Sequence, residues 1–255
     1  MTLTPIYQDE HLVAIDKPPG LLVHRTQLAA HEDQAALQLL RDQLGQPVWP
    51  AHRLDRGTSG VLLFALSAEV ASLLGAMFEQ GRMEKRYLAL VRGWPTLDQG
   101  LIDHPLARDP ELPSAGQTLL AAQTRWQVLE RIEWPVTTDT RFATTRVALL
   151  EAEPLQGRRH QIRRHLKHIA HPILGDATHG KGPLNRAVAA WLGVNRLWLH
   201  AQRLALRHPV SGAALMLEAP PSAALQQGAA WPPAPASGCE SAATPLAHPA
   251  AGWPR

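Results

Sequence analysis

Asp55 stands between two arginines in His52-Arg53-Leu54-Asp55-Arg56-Gly57-Thr58-Ser59-Gly60. A neighbouring cation favours the charged form of a carboxylate, so Asp55 is a candidate nucleophile or general base. Gly57 and Gly60 permit backbone angles and close approaches that other residues resist. The apolar run Val61 to Leu66 that follows reads as a buried strand, and a loop docked on such a strand holds its side chains more firmly than a free surface loop. On these residues alone, an aspartate between arginines is most often a turn residue with a salt-bridge partner.

Two other stretches could do chemistry. Gly157-Arg158-Arg159-His160-Gln161-Ile162-Arg163-Arg164-His165 opens a helix with Ile162, Leu166 and Ile169 as its apolar stripe and Arg163, Arg164, Lys167 and His168 on its other faces. It lies in a segment, Leu155 to Arg186, that carries seven Lys/Arg, five His and a single acid, Asp176. Such a local basic surface, in a chain of net charge only +3, suits an anionic partner such as nucleic acid; a solvated basic face would look the same. Tyr87, one of two tyrosines, sits in the strand-forming stretch Glu84 to Gly93 and offers a flat aromatic face on which a base can stack.

His-Arg-Leu-Asp-x-x-Thr-Ser-Gly at 52–60 matches all seven fixed positions of a signature that resembles the RluA-type pseudouridine synthases. Lys17-Pro18-x-Gly20 with Val23-His24 is similar to that family's first motif, and Gly157 to His165 to its third, so the resemblance spans roughly residues 5–218. It implies an α+β pseudouridine synthase fold: a long mixed, largely antiparallel sheet flanked by helices, with a central active-site cleft. It implies Asp55 as the catalytic carboxylate, Arg163 as its partner and Tyr87 as the residue stacked on the uracil. Arg53 would fill the space left by a flipped base, and Arg159, Arg164 and Lys167 would contact RNA. Details such as Tyr7-Gln8-Asp9-Glu10 and Phe78-Glu79-Gln80 resemble the tRNA-acting branch of the family, which implies a tRNA substrate and uridine 65 as the target. An rRNA target is the alternative. The reaction implied is an isomerisation that needs no cofactor, metal or nucleotide energy, and no obligatory protein partner is indicated.

The elements that must position these residues read as follows. Leu12 to Ile15 is a strand, Lys17-Pro18-Pro19-Gly20 a turn, and Leu21 to His24 a second extended run. Asp33 is a candidate cap for a helix over 34–44 that ends at Gly45. Pro47 and Pro50 bracket a short extended piece. Ser67 caps a helix to about Gln80, with Val70, Leu73, Leu74, Met77 and Phe78 on one face. Residues 94–116, with four prolines, read as a loop or insertion. Ala121 to Ile132 and Thr144 to Glu153 read as paired strands. Gly175-Asp176, Leu199-His200-Ala201 and His208 to Gly212 read as scaffold. From 220 onward, eight prolines, eleven alanines and two charged residues predict a disordered tail, 220–255, behind a catalytic domain, 1–219.

Composition narrows the classes. The 255 residues, 45% hydrophobic, suffice for a sizeable core. A single cysteine, Cys239, excludes an intrachain disulfide or a Cys-based zinc site and suits a reducing cytosol. Met1 to Pro5 lacks a basic region followed by an apolar core, and no run reaches the roughly 20 apolar residues of a membrane span, so a cytoplasmic location is expected. A metal-dependent hydrolase built on His165, His168, His171 and His179 is disfavoured: the spacing is not that of a zinc helix, and Arg159, Arg163, Arg164 and Lys167 would repel a cation. A non-catalytic RNA-binding module would share the basic helix and Tyr87, but Asp55 facing phosphates would weaken binding unless it reacts.

Overall fold

The strand Ser59–Ala65 (β4) is buried at every position, which is why it reads as an unbroken apolar run rather than an alternating one. In the computed structural model, which describes residues 1–24, 34–113, 115–137 and 141–221, β4 lies inside a ten-stranded sheet. On one side it pairs antiparallel with Leu12–Lys17 (β2), which pairs with Pro5–Gln8 (β1); Trp49–Pro50 (β3) also pairs with β4. On the other side it runs parallel to Leu199–Arg207 (β11). Beyond β11 come Glu84–Arg92 (β5), Thr145–Pro154 (β10), Gln123–Trp134 (β9) and Gln99–Asp103 (β6), all antiparallel, while Ala214–Glu218 (β12) completes a hairpin with β11. Leu106–Ala107 (β7) and Leu119–Leu120 (β8) form a separate two-stranded ribbon.

The parallel β4–β11 pair joins the two halves of the chain and sets the place of the site. Gly60 registers with Ala201 and Ala201 with Tyr87, so three adjacent strands align at one level. Gly60 adopts φ 108°, and a Cβ there would lie 2.2 Å from the Ala201 carbonyl oxygen. Only glycine lets these backbones meet.

Helices cover the sheet. Ala36–Leu44 (α1) ends at Gly45 in the left-handed conformation. Its N-cap is Ala35, without a side-chain bond; Asp33, the expected cap, lies outside the described residues. In Ala68–Glu79 (α2) the Ser67 hydroxyl accepts from the Val70 N–H, and Val70 and Leu74 are buried. Leu73, expected on the same apolar face, is largely exposed, because the stripe is narrower than the sequence pattern suggested. Gln161–His168 (α3) and Gly182–Leu192 (α4) complete the set. Among the described residues no helix is long and apolar enough to cross a membrane.

Two expectations change. The first strand pair is β1 with β2; Leu21 to His24 forms only an isolated bridge, Leu22 to Ala35, because its carbonyls go elsewhere: that of Leu21 accepts from Lys17 Nζ, and those of Leu22 and Val23 accept from the Ala36 and Leu37 N–H groups at the start of the following helix. The 94–116 stretch contains β6 and β7: β6 is an edge strand whose identity comes from pairing with β9, which local composition does not reveal. The tail beyond 221 lies outside the described residues.

At the centre of the sheet, His200 is 1% exposed. Its Nε2–H donates to the Ala219 carbonyl at 3.0 Å, so Nδ1 accepts from the Ser59 hydroxyl at 2.8 Å, and Ser59 Oγ in turn accepts from Arg196 at 2.7 Å. Burial pushes the His200 imidazole down to about 4. Between that value and the unfolded value near 6.5 the unfolded chain binds the extra proton, so stability falls as pH drops through this window. Chemical denaturation at pH 7 and pH 4.5 should show an acid loss on the order of 2–3 kcal/mol from this group, reduced in His200→Gln.

Candidate active site

Asp55 sits in the turn ahead of β4, where the Thr58 N–H donates to the Asp55 carbonyl at 3.0 Å. The turn is braced from below by Lys17 at the end of β2. Lys17 is fully buried, and its Nζ donates to the carbonyls of Pro18 (2.9 Å), Leu21 (2.8 Å) and Arg56 (3.2 Å). Gly20 and Arg56 exchange two further bonds. The Lys-Pro-Pro-Gly turn is therefore a buttress of the Asp55 loop. Burial pushes the Lys17 ammonium down to about 7, opposed by the charge of Asp55.

Arg163 reaches this turn from α3, 108 residues away in sequence, and its Nη1 donates to Asp55 Oδ2 at 2.8 Å. The rest of the guanidinium is held by Asp176, with Nε to Oδ2 at 2.7 Å and Nη2 to Oδ1 at 2.9 Å. A bidentate fork of this kind fixes both distance and plane. Asp176 also accepts from the backbone N–H groups of Thr178 and His179 at 2.9 and 2.8 Å. Burial alone would raise its carboxyl, but the Arg163 bonds prevail and hold it below the usual range. Gly175, just before it, has φ 71°, and a Cβ there would fall 1.7 Å from the Arg196 carbonyl; the tight crossing aims Asp176 inward.

Above Asp55 opens a cleft of about 690 Å3, lined by Arg53, Asp55, Tyr87, Arg158, His160 and Arg163 among others. That volume suits a nucleotide-sized ligand. Burial, then the charge of Asp55, pushes the Tyr87 hydroxyl well above its usual value, so it stays protonated. The residues present are a carboxylate locked to a buried guanidinium, an aromatic wall and cations at the mouth. They can present a reactive oxygen to a flat, anionic-backbone ligand.

The comparisons with known proteins agree with this geometry. Residues 11–168 match the family model for RNA pseudouridylate synthase. The chain belongs to that family. It is 45% identical over 219 residues to tRNA pseudouridine synthase C of Vibrio cholerae serotype O1, covering 84% of this chain and 89% of that protein. It is 47% identical over 222 residues to the protein of the same name from Pasteurella multocida, covering 83% and 88%. Among solved structures it is similar to human RNA pseudouridylate synthase domain containing 1, with TM-score 0.69 and 25% identity over 86% of this chain and 84% of that one. The mixed, mostly antiparallel sheet with its central cleft is the family's fold.

Within this pseudouridylate synthase fold, the residues singled out in the sequence separate into two groups. Asp55, Tyr87, Arg163 and Arg53 line one cleft, and the Asp55–Arg163 pair forms as the resemblance implied. The cation that grips Asp55 is Arg163 rather than its neighbour Arg53, which is exposed at the mouth. Arg159, Arg164 and Lys167 lie outside the cleft lining. Arg159 pairs with Asp109 and Glu111, Arg164 donates to the Ala107 carbonyl at 2.8 Å, and Lys167 is exposed on α3. Arg158 lines the cleft in their stead.

The histidines considered as metal ligands have other partners. His165 lies between Thr124 Oγ1 (2.8 Å) and the His104 carbonyl (3.0 Å), His168 stacks on His104, and His171 donates to the Arg92 carbonyl. Sequence reasoning missed Lys17, read as a turn residue, and Asp176, read as scaffold. A signal for Asp176 was present: it is the lone acid in a segment of seven Lys/Arg, and a solitary carboxylate there must serve a particular cation.

Proposed function

We propose that this protein converts a uridine of tRNA to pseudouridine, with uridine 65 as the target and Asp55 as the reacting group. The observation that carries the site assignment is the contact of Arg163 with Asp55, which unites two motifs 108 residues apart in sequence at the floor of a nucleotide-sized cleft. The tRNA substrate rests on the likeness to tRNA pseudouridine synthase C.

The target uridine leaves its stack at a cost of roughly a few kcal/mol. Arg53, exposed at the cleft mouth, fills the gap, and Tyr87 holds the uracil face. Asp55 acts on the ring or the ribose. The bond from ribose C1′ to N1 breaks, the uracil turns, and a bond from C1′ to C5 forms. The hydrogen on C5 leaves to solvent as N1 gains one, so the product is an isomer of the substrate. Arg163, fixed by Asp176, keeps Asp55 oriented throughout. Arg53 and Arg158 contact RNA at the mouth, with Arg159, Arg164 and Lys167 along the basic approach.

Incubation with unmodified tRNA transcripts, followed by pseudouridine-specific mapping, tests this reading. A single new pseudouridine at position 65 is expected; modification confined to rRNA transcripts would refute the tRNA assignment. The catalytic unit is residues 1–219, so truncation after residue 224 should leave turnover close to that of the full chain. An inactive or insoluble truncation would contradict that boundary.

A further inference from the structure

Asp55, Arg163, Asp176, His179 and His160 close a ring. Arg163 bridges the two carboxylates, and Asp176 Oδ1 accepts from the His179 backbone N–H. The His179 Nε2 lies 3.0 Å from His160 Nδ1, and His160 Nε2 returns to within 3.8 Å of Asp55 Oδ2. The carboxylate–guanidinium half belongs to the function described above, whereas the imidazole half has no part in it yet.

His160 is built at some cost. It is the N-cap of α3 in the left-handed conformation, φ 55° and ψ 27°, yet its side chain makes no capping bond. A non-glycine residue is strained in that conformation, and asparagine tolerates the position better. The ring instead lines the cleft. For its Nε2 to face a carboxylate favourably, Nε2 must carry the proton. Nδ1 then accepts, and His179 Nε2–H donates. His179, 9% exposed and pinned through its backbone to Asp176, thus sets the tautomer of His160 in the way an outer partner does for a functional imidazole. The 3.8 Å separation exceeds a hydrogen bond, and contacts of this kind tighten when substrate is bound.

Arg163 Nη1 and His160 Nε2 approach the same oxygen, Oδ2. We propose that His160, oriented by His179, is a positioning residue that shares Asp55 Oδ2 with Arg163 and so leaves Oδ1 as the oxygen offered to the substrate. The inference rests on the assignment of Asp55 as the reacting group. Misplacing a reacting atom by about 1 Å lowers a rate by about 100-fold, so loss of one of two holding contacts should cost about tenfold.

The test compares His160→Asn with His160→Gln for kcat and KM on tRNA. The asparagine amide occupies the place of Nδ1 and suits the left-handed backbone, but it does not reach Asp55. The glutamine amide extends to the place of Nε2. Positioning of Asp55 predicts that Gln keeps kcat within about threefold while Asn loses about tenfold, with KM little changed in both. A purely conformational role for residue 160 predicts the reverse order, and kcat for Asn at or above that for Gln would overturn the proposal. If either variant melts well below the parent, His179→Phe decides: kcat falling about fivefold or more at unchanged KM supports the proposal, and parental kcat overturns it. Parental protein inactive on tRNA and rRNA alike would instead overturn the function itself, and this inference with it.

Discussion

Asp55→Asn leaves a folded protein that binds tRNA as the parent does and turns over about 10⁴-fold more slowly or less. The amide has the size of the carboxylate but not its charge or its nucleophilic oxygen. Folding survives because Arg163 retains its fork on Asp176, at 2.7 and 2.9 Å, so no buried cation is orphaned. The Asp55 side chain is also 28% exposed, which keeps the loss of its ion pair small. Binding survives because removal of a negative charge from a cleft that meets phosphates does not oppose RNA. A melting temperature within a few degrees of the parent, unchanged tRNA affinity and loss of turnover are expected together. Turnover near the parental rate would remove Asp55 from the chemistry, and the non-catalytic RNA-binding reading would return.

Asp176→Ala should have the largest effect on stability. The Asp176 side chain is 1% exposed and Arg163 9%. Its loss leaves a buried guanidinium with Asp55 alone and strips the acceptor from the N–H groups of Thr178 and His179. Breaking a buried pair from one side costs about 3–5 kcal/mol, which for a domain of this size lowers the melting temperature by about 10 °C. Turnover falls as well, because Arg163 no longer holds its plane against Asp55. Asp176→Asn, which keeps one acceptor for the backbone, should lie between. A thermal melt of Asp176→Ala within about 2 °C of the parent would show that Arg163 is held by something else.

The two halves of the site differ in how far the sequence reveals them. Asp55 and Arg163 were legible through their motifs, and β4, α2, β5 and the β9–β10 pair through their periodicity and caps. Lys17 and Asp176 were not, since their roles depend on where the chain returns in space: Lys17 binds carbonyls of two separate segments, and Asp176 meets Arg163 across a turn that only Gly175 permits. Charge patterning showed the basic helix but not its local partners. Arg159 and Arg164 look free in a basic helix, yet their partners are Asp109, Glu111 and the Ala107 carbonyl, all within the stretch read as a loop. The helix α4 was overlooked although Pro183 in its first turn and Gly193 at its end are ordinary boundary signals; the burial of Leu184 and Val188 in the core cluster that also holds Trp198 and Leu199 decides it.

Tritium release from tRNA labelled at uridine C5 tests the central claim most directly, because only formation of the new carbon–carbon bond displaces that hydrogen. Stoichiometric release by the parental protein, absent in Asp55→Asn under the same conditions, is the expected result. Equal release by both proteins, or none by the parental protein from tRNA or rRNA, would contradict the assignment of Asp55 as the residue that drives the isomerisation.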